Sequence, residues 1–380
     1  MKDFTYYNPT RLILGRGRIA RLDDLIPDGN RVLVTYGGGS IKENGVYEQV
    51  RAALADRFVV DFGGIEPNPE YETLLRAARL AREERVDFVV AAGGGSVLDG
   101  TKFIAAAACF DEGEPWRILE TRGAAVKRAL PFGSVLTLPA TGSEANPNAV
   151  ISRREWKVKK VFGAETVFPR FSILDPETTY SLPPRQIRNG IVDAFVHVME
   201  QYATYPAKAP LQDRQAEAVL ATLVEQAPAI MADPPDYDAR ATFMWCATQA
   251  LNRLLAMGVP LDWSTHAIGH ELTALYSLDH GATLAVVLPG VLRHKIEAKR
   301  PKLEQYGDRI FGVNSAEEAI ERTERFFLDT GMSTKLSDYD IDAAEAAKIV
   351  SRRFEETDMR LGEHRDIDAR AVARILKDRA

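Results

Sequence analysis

The chain has 380 residues, 46% of them hydrophobic, and a net charge of −6 with acids and bases interspersed along its length. That length exceeds one comfortable core, so two domains are expected. The charge balance excludes a nucleic-acid binder, which would carry a basic stripe, and no apolar run approaches the roughly 20 residues that a membrane-spanning helix needs. Cys109 and Cys246 are the only cysteines and lie in apolar, helix-like stretches. This argues against a disulfide framework and for a reducing, cytoplasmic setting. The opening residues Met1–Tyr7 lack the apolar core of a signal peptide.

In chain order, the first half alternates short β-branched runs with helical patterns. Residues 31–36 read as a buried strand ending in glycines, 57–61 as a second, 69–84 as a helix, and 86–92 as a strand that again runs into glycines. Residues 132–138 and 171–174 complete the strand series. Strands separated by helices predict βαβ units and a mostly parallel sheet. The rhythm changes after Ser181-Leu-Pro-Pro184, where prolines suit a helix's first turn. Beyond it, helices are predicted over 185–203, 211–231, 237–256, 264–276, 297–310, 315–330 and 342–355. The predicted organisation is an α/β dinucleotide-binding domain over residues 1–182 and an all-helical metal-binding domain over 183–380.

Two strands of the first half end in Gly-Gly-Gly-Ser, at Gly37–Ser40 and Gly93–Ser96. Without Cβ atoms, backbone can come close to a ligand, and a helix starting there turns free amides and its positive dipole end to an anion. Gly94, Gly95 and Ser96 are therefore expected to cradle a pyrophosphate, although neither run has the spacing of the ordinary dinucleotide fingerprint. The first run bears on cofactor choice. An NAD enzyme usually places an acid at the end of such a strand for the ribose 2′-hydroxyl. Here Thr35-Tyr-Gly37-Gly38-Gly-Ser40 has none, and Lys42 is close by. Small residues and the Ser40 hydroxyl leave room for a 2′-phosphate, so NADP(H) is expected. The hydroxyl-rich stretch from Thr137 through Thr141 to Asn146 follows another strand and suits further cofactor contacts.

The second half carries a histidine constellation. Asp193 and His197 are four apart in an apolar helical run, as are His266 and His270, and His280 follows after a short loop. Residues four apart share a helix face, and a buried carboxylate is costly unless paired or metal-bound. One carboxylate and several imidazoles from two helices and a loop form a first-row transition-metal site. Asp193, His197, His266 and His280 are the predicted ligands, for Fe(II) or Zn(II). His270 is left over and is predicted to relay a proton or touch substrate. His294 and His364 lie in polar stretches and read as surface residues.

A nucleotide cradle followed by this helical ligand set resembles the iron-containing (group III) alcohol dehydrogenase family over essentially the whole chain. The carrying stretches are Gly93–Lys102, Asn189–His197 and His266–Ala274, which look like the branch of NADPH-dependent aldehyde reductases and butanol dehydrogenases. The resemblance implies the dehydroquinate synthase-like fold, a homodimer, and hydride transfer between NADP(H) and small aliphatic alcohols or aldehydes such as butanol and butanal. It places Gly38 and Ser40 at the adenosine end, Gly95 and Ser96 at the pyrophosphate, and Asp99 on the nicotinamide side as a catalytic candidate. Thr137, Thr141 and Asn146 would line the groove. Lys159 would contact the cofactor, with Lys160 beside it as the other candidate. Related chemistries on this architecture are polyol or glycerol-phosphate dehydrogenation and a dehydroquinate synthase-like lyase reaction. The few cations around the predicted ligands favour a small, weakly charged substrate.

Overall fold

A computed structural model describes residues 1–380. The chain folds as two compact units, one of Tyr7–Pro183 with Pro235–Thr248, the other of Met1–Tyr6, Pro184–Pro234 and Gln249–Ala380. This differs from an uninterrupted division at residue 182: the extreme N-terminus joins the later unit, and the segment 235–248 joins the earlier one. Met244 is the reason for the second exchange, since its side chain belongs to the apolar core beneath the sheet.

The first unit has eight strands: β1 (Arg11–Leu14), β2 (Arg31–Tyr36), β3 (Phe58–Phe62), β4 (Phe88–Gly94), β5 (Phe132–Leu138), β6 (Asn148–Arg153), β7 (Val158–Gly163) and β8 (Phe171–Leu174). Six form one sheet in the order β1-β8-β5-β4-β2-β3, and every pairing in it is parallel. Strands buried on both sides need apolar residues at every position. Accordingly Leu33, Val89 and Ala91 face one core with helices Tyr71–Glu83 and Gly95–Ala108. Val32, Val34, Val90 and Ala92 face the other with helix Val46–Ala53.

From β2 the chain moves outward to β3, then crosses back to lay β4 on the other flank of β2. Open α/β sheets bind ligands at such a reversal, beyond the carboxyl ends of the strands. Tyr36 pairs with Ala92 in register, so the two glycine runs leave the sheet side by side at that point.

Two features of this unit departed from expectation. The edge strand β1 is only four residues long with no alternation of exposure, which hides it in the sequence. The lysine-rich run is half of an antiparallel hairpin, β6 with β7, reversing at Lys157 in the left-handed conformation (φ 51°).

The second unit is helical, and no strand follows residue 174. Helix Pro184–Tyr202 begins with proline at its first position, where the missing N–H costs nothing, and is buried at every residue from Gly190 to Tyr202. Helices Ser264–Tyr276 and His280–His294 pack with Ala343–Glu356 and Ala369–Lys377 around Ile268, Leu272, Val287, Val350 and Ile375. Helix His280–His294 was not foreseen. It is apolar all round and contains Pro289, so neither a polar face nor a clean helical pattern marks it. His364 is exposed, whereas His294 is half-buried.

Candidate functional site

The two glycine runs lie in the α/β unit. Gly93 and Gly94 are the last residues of β4, and Gly95 opens helix Gly95–Ala108 with no intervening loop. The helix start has no side-chain cap and no acid in its first turn. Its amides are thus left to bind an anion. The glycines here have a further reason that the sequence did not show. A methyl carbon on Gly95 would stand 2.5 Å from Thr141 Oγ1, and one on Gly94 would stand 2.9 Å from Leu138 Cβ. They let the segment after β5 close on the helix start, rather than only admitting a ligand.

The first run is open. Nothing lies within 4 Å of where a Cβ on Gly38 would stand, and the same holds for Gly39, which needs glycine for its φ of +111°. Gly37 is half-buried, while Ser40, beginning the short helix Ser40–Glu43, is exposed. Lys42 places its ammonium 5.0 Å from the ring centroids of both Tyr36 and Tyr47. The Tyr36 hydroxyl beside it holds its pKa above the usual lysine range.

Lys159 and Lys160 are separated by strand alternation. Lys159 Nζ donates to Asn68 Oδ1 at 2.9 Å, and the Asn68 amide donates to Ser96 Oγ at 3.2 Å. Lys160 instead stands 5.7 Å from the centroid of Trp116. Only Lys159 is tied to the glycine cradle.

Two predicted cofactor residues turn inward. Asp99 Oδ1 accepts from Ser143 Oγ at 2.6 Å and Oδ2 from the Val150 amide at 2.8 Å. Through these two bonds in the unit's interior, Asp99 anchors β6 to the helix. Asn146 donates to the Gly142 carbonyl at 2.8 Å and accepts from the Asn148 amide at 2.9 Å, bracing its own loop. Lys102, unremarked in the sequence, donates from its buried Nζ to Ser143 Oγ at 2.6 Å and the Asn148 carbonyl at 2.7 Å. Burial pushes Asp99 up and Lys102 down to about 8, each against the field of the other. Thr137 is buried, and Thr141 Oγ1 accepts from the Ser143 amide at 3.2 Å.

The histidine constellation lies in the helical unit. Helix Pro184–Tyr202 carries Asp193 and His197 one turn apart, with His197 Nδ1 3.2 Å from Asp193 Oδ1. His266 sits in the first turn of helix Ser264–Tyr276, its Nε2 3.6 Å from the same oxygen. His280 does not hang from a loop but opens helix His280–His294, its Nε2 3.8 Å from Asp193 Oδ1. Gly281 allows that approach, since a methyl carbon there would lie 2.8 Å from Asn189 Cα. One donor atom from each of Asp193, His266 and His280 lies within 4.8 Å of the others. His197 stands beside this group, its ring stacked on His266 at 4.4 Å between centroids. The ring of His270 is 5.2 Å from that of His280, and both residues are half-buried.

The donor set fits a divalent transition metal. Nε2 of His266 and Nδ1 of His197 are buried without a hydrogen-bond partner, which is costly unless something else binds them. Nitrogen and oxygen donors without thiolate suit Fe(II) or Zn(II). Burial holds His197 down to about 4 against the pull of Asp193. Burial would lower His266 as well, but Glu200 and Asp193 override it and raise the imidazole to about 9.

Glu200 was missed in the sequence. It is buried, its Oε2 hydrogen-bonded to His266 Nδ1. The available signal was its place seven after Asp193 and three after His197, on the same helical stripe.

Residues 9–176 match the family model for iron-containing alcohol dehydrogenase, and residues 188–380 match the C-terminal model of the same family. The chain belongs to the iron-containing alcohol dehydrogenase family. It is 51% identical to the NADPH-dependent aldehyde reductase YqhD of Escherichia coli, over 99% of each chain. It is 44% identical to NADP-dependent alcohol dehydrogenase 3 of Entamoeba histolytica, over 100% of this chain and 99% of that one. The NADH-dependent butanol dehydrogenase A of Thermotoga maritima superposes with a TM-score of 0.94 at 33% identity, covering 100% and 99% of the two chains. Interconversion of alcohols and aldehydes is thus the activity of this chain, on the fold of the family. No helix is long and apolar enough to cross a membrane.

Proposed function

We propose that the protein is an NADP(H)-preferring, metal-dependent reductase of small aliphatic aldehydes, working reversibly on the alcohols, with Asp193, His197, His266 and His280 holding Fe(II) or Zn(II). The observation that carries this is the convergence of Asp193, His266 and His280 donor atoms within 4.8 Å, with His197 against the same carboxylate. When bound, the metal supplies Lewis acidity to a carbonyl oxygen and the reduced nicotinamide supplies hydride.

The chain's own residues do the rest. The uncapped amides at Gly95 and Ser96 take the pyrophosphate, and Lys159 adds a positive charge beside them. Gly37, Gly38 and Ser40 receive the adenosine ribose. The open space at Gly38 and the absence of an acid at the end of β2 favour the 2′-phosphate. Thr137 and Thr141 line the groove between them. His270, half-exposed beside His280, is the group placed to give a proton to the product oxygen and to recover it in the reverse direction. We place the enzyme in the cytoplasm as a homodimer; the two free thiols, Cys109 and Cys246, suit a reducing compartment.

The test is oxidation of NADPH, with NADH in parallel, against butanal, using protein stripped of metal and reloaded with Fe(II) or Zn(II). Metal-restored turnover favouring NADPH is expected, and His266→Ala should lose metal and turnover together while still binding nucleotide. Turnover by metal-free His266→Ala would refute the assignment.

A further inference from the structure

We infer that Glu200 is a positioning residue for the metal site, fixing the tautomer and ring orientation of His266 so that its Nε2 is presented to the ion. The inference rests on the ligand assignment above and adds a residue outside that set. An ionised carboxylate only accepts hydrogen bonds, so the ring nitrogen that faces it must carry the proton. In a neutral imidazole the other nitrogen then holds the lone pair. Glu200 Oε2 faces His266 Nδ1, and Nε2 is the nitrogen directed at Asp193 Oδ1, 3.6 Å away. Carboxylates behind ligating imidazoles orient the ring and raise its basicity.

Glu200 is itself held too firmly to rotate away or serve as a ligand. Its Oε1 accepts from the Thr265 amide at 2.5 Å and the His266 amide at 3.3 Å, so one carboxylate grips both the backbone and the ring of the same residue. These are amides of the first turn of helix Ser264–Tyr276, where negative charge is favoured. The turn before that helix is pinned as well. The Asp262 amide donates to the Glu200 carbonyl at 2.9 Å, and Asp262 Oδ1 accepts from the Ser264 amide at 3.0 Å. Lys299 Nζ, 1% exposed, lies 2.9 Å from Asp262 Oδ2 and 2.8 Å from Glu363 Oε1. A buried triad therefore fixes the backbone from which His266 projects. By contrast, His197 turns its Nδ1 toward Asp193 and has no carboxylate behind it.

The experiment measures Co(II) affinity by competition with a chromogenic chelator for the parent, Glu200→Gln and Glu200→Ala. Far-UV circular dichroism of the metal-free proteins and NADPH binding serve as folding controls. Loss of such an outer partner costs about 10- to 100-fold in metal affinity, so that loss is expected for Glu200→Ala. Glu200→Gln keeps one acceptor oxygen and should fall between the two. The Co(II)-loaded parent should also show a slowly exchanging, hyperfine-shifted imidazole N–H resonance that disappears in Glu200→Ala. If the parent binds Co(II) and both variants match it within about twofold, the inference is overturned while the ligand assignment stands. Equal loss of helix content in both metal-free variants would make the role structural and overturn it too. A parent that takes up no Co(II) overturns the ligand assignment and the inference together.

Discussion

Replacing Gly38 with aspartate should turn the enzyme against NADPH. The backbone can take the substitution: Gly38 is not in the left-handed region, and the space where its Cβ would stand is empty to 4 Å. The new carboxylate would meet the dianionic 2′-phosphate that this loop is proposed to receive. For charges of −1 and about −2 separated by about 5 Å at an effective dielectric of about 60, the repulsion is about 2 kcal/mol. That corresponds to roughly 30-fold in affinity. NADH has no 2′-phosphate, and its ribose hydroxyls gain an acceptor, so its KM should fall or hold. The assay is kcat/KM for both cofactors against butanal at low salt, repeated at high salt, where screening should shrink the discrimination. Gly39→Asp is the contrast. At φ +111° it would strain the loop and weaken both cofactors alike. A Gly38→Asp enzyme that folds, turns over and keeps the parental NADPH/NADH ratio would refute the placement of the 2′-phosphate here.

Gly95→Ala should destabilise the α/β unit by about 1–3 kcal/mol in a denaturant titration, because its methyl meets Thr141 at 2.5 Å; parental stability would show that the segment after β5 yields freely. Lys159→Ala should raise the KM for NADPH several-fold while Lys160→Ala leaves it near the parental value, since only Lys159 is tied to Asn68 and Ser96; equal effects would reject that distinction. In metal-free protein, the combined contribution of His197 and His266 to stability should be greatest near pH 6.5. His197 is held at about 4, below its ordinary 6.5, so the unfolded chain binds the extra proton between those values and stability falls as pH drops through them. His266 is raised to about 9, so its contribution is fully present below 6.5 and is lost as pH rises toward 9. Thermal unfolding of the metal-free protein at pH 5, 6.5 and 8.5 checks both limbs, and the alkaline limb should vanish in His266→Phe. An alkaline limb that survives that change would refute its origin in His266.

Local periodicity carried much of this protein in its sequence. Asp193 with His197, and His266 with His270, are four apart, and a helix puts such pairs on one face whatever surrounds it. The glycine runs and the β-branched strands before them marked the parallel sheet, because strand burial and turn geometry depend on neighbours in the chain. What escaped depends on partners far away. Helix His280–His294 has no polar face because it is enclosed on every side, and nothing local told its apolar run from a strand. Lys159 and Lys160 are chemically equal, and only the register of the β6–β7 hairpin turns one to Asn68 and the other to Trp116. Asp99 takes its bonds from Ser143 and Val150, 44 and 51 positions away in the chain. Glu200 meets His266 across 66 positions of the chain. Local hydrogen bonding repeats with a fixed period and so leaves a mark in the sequence. A contact between distant residues leaves no such period, and packing alone decides it.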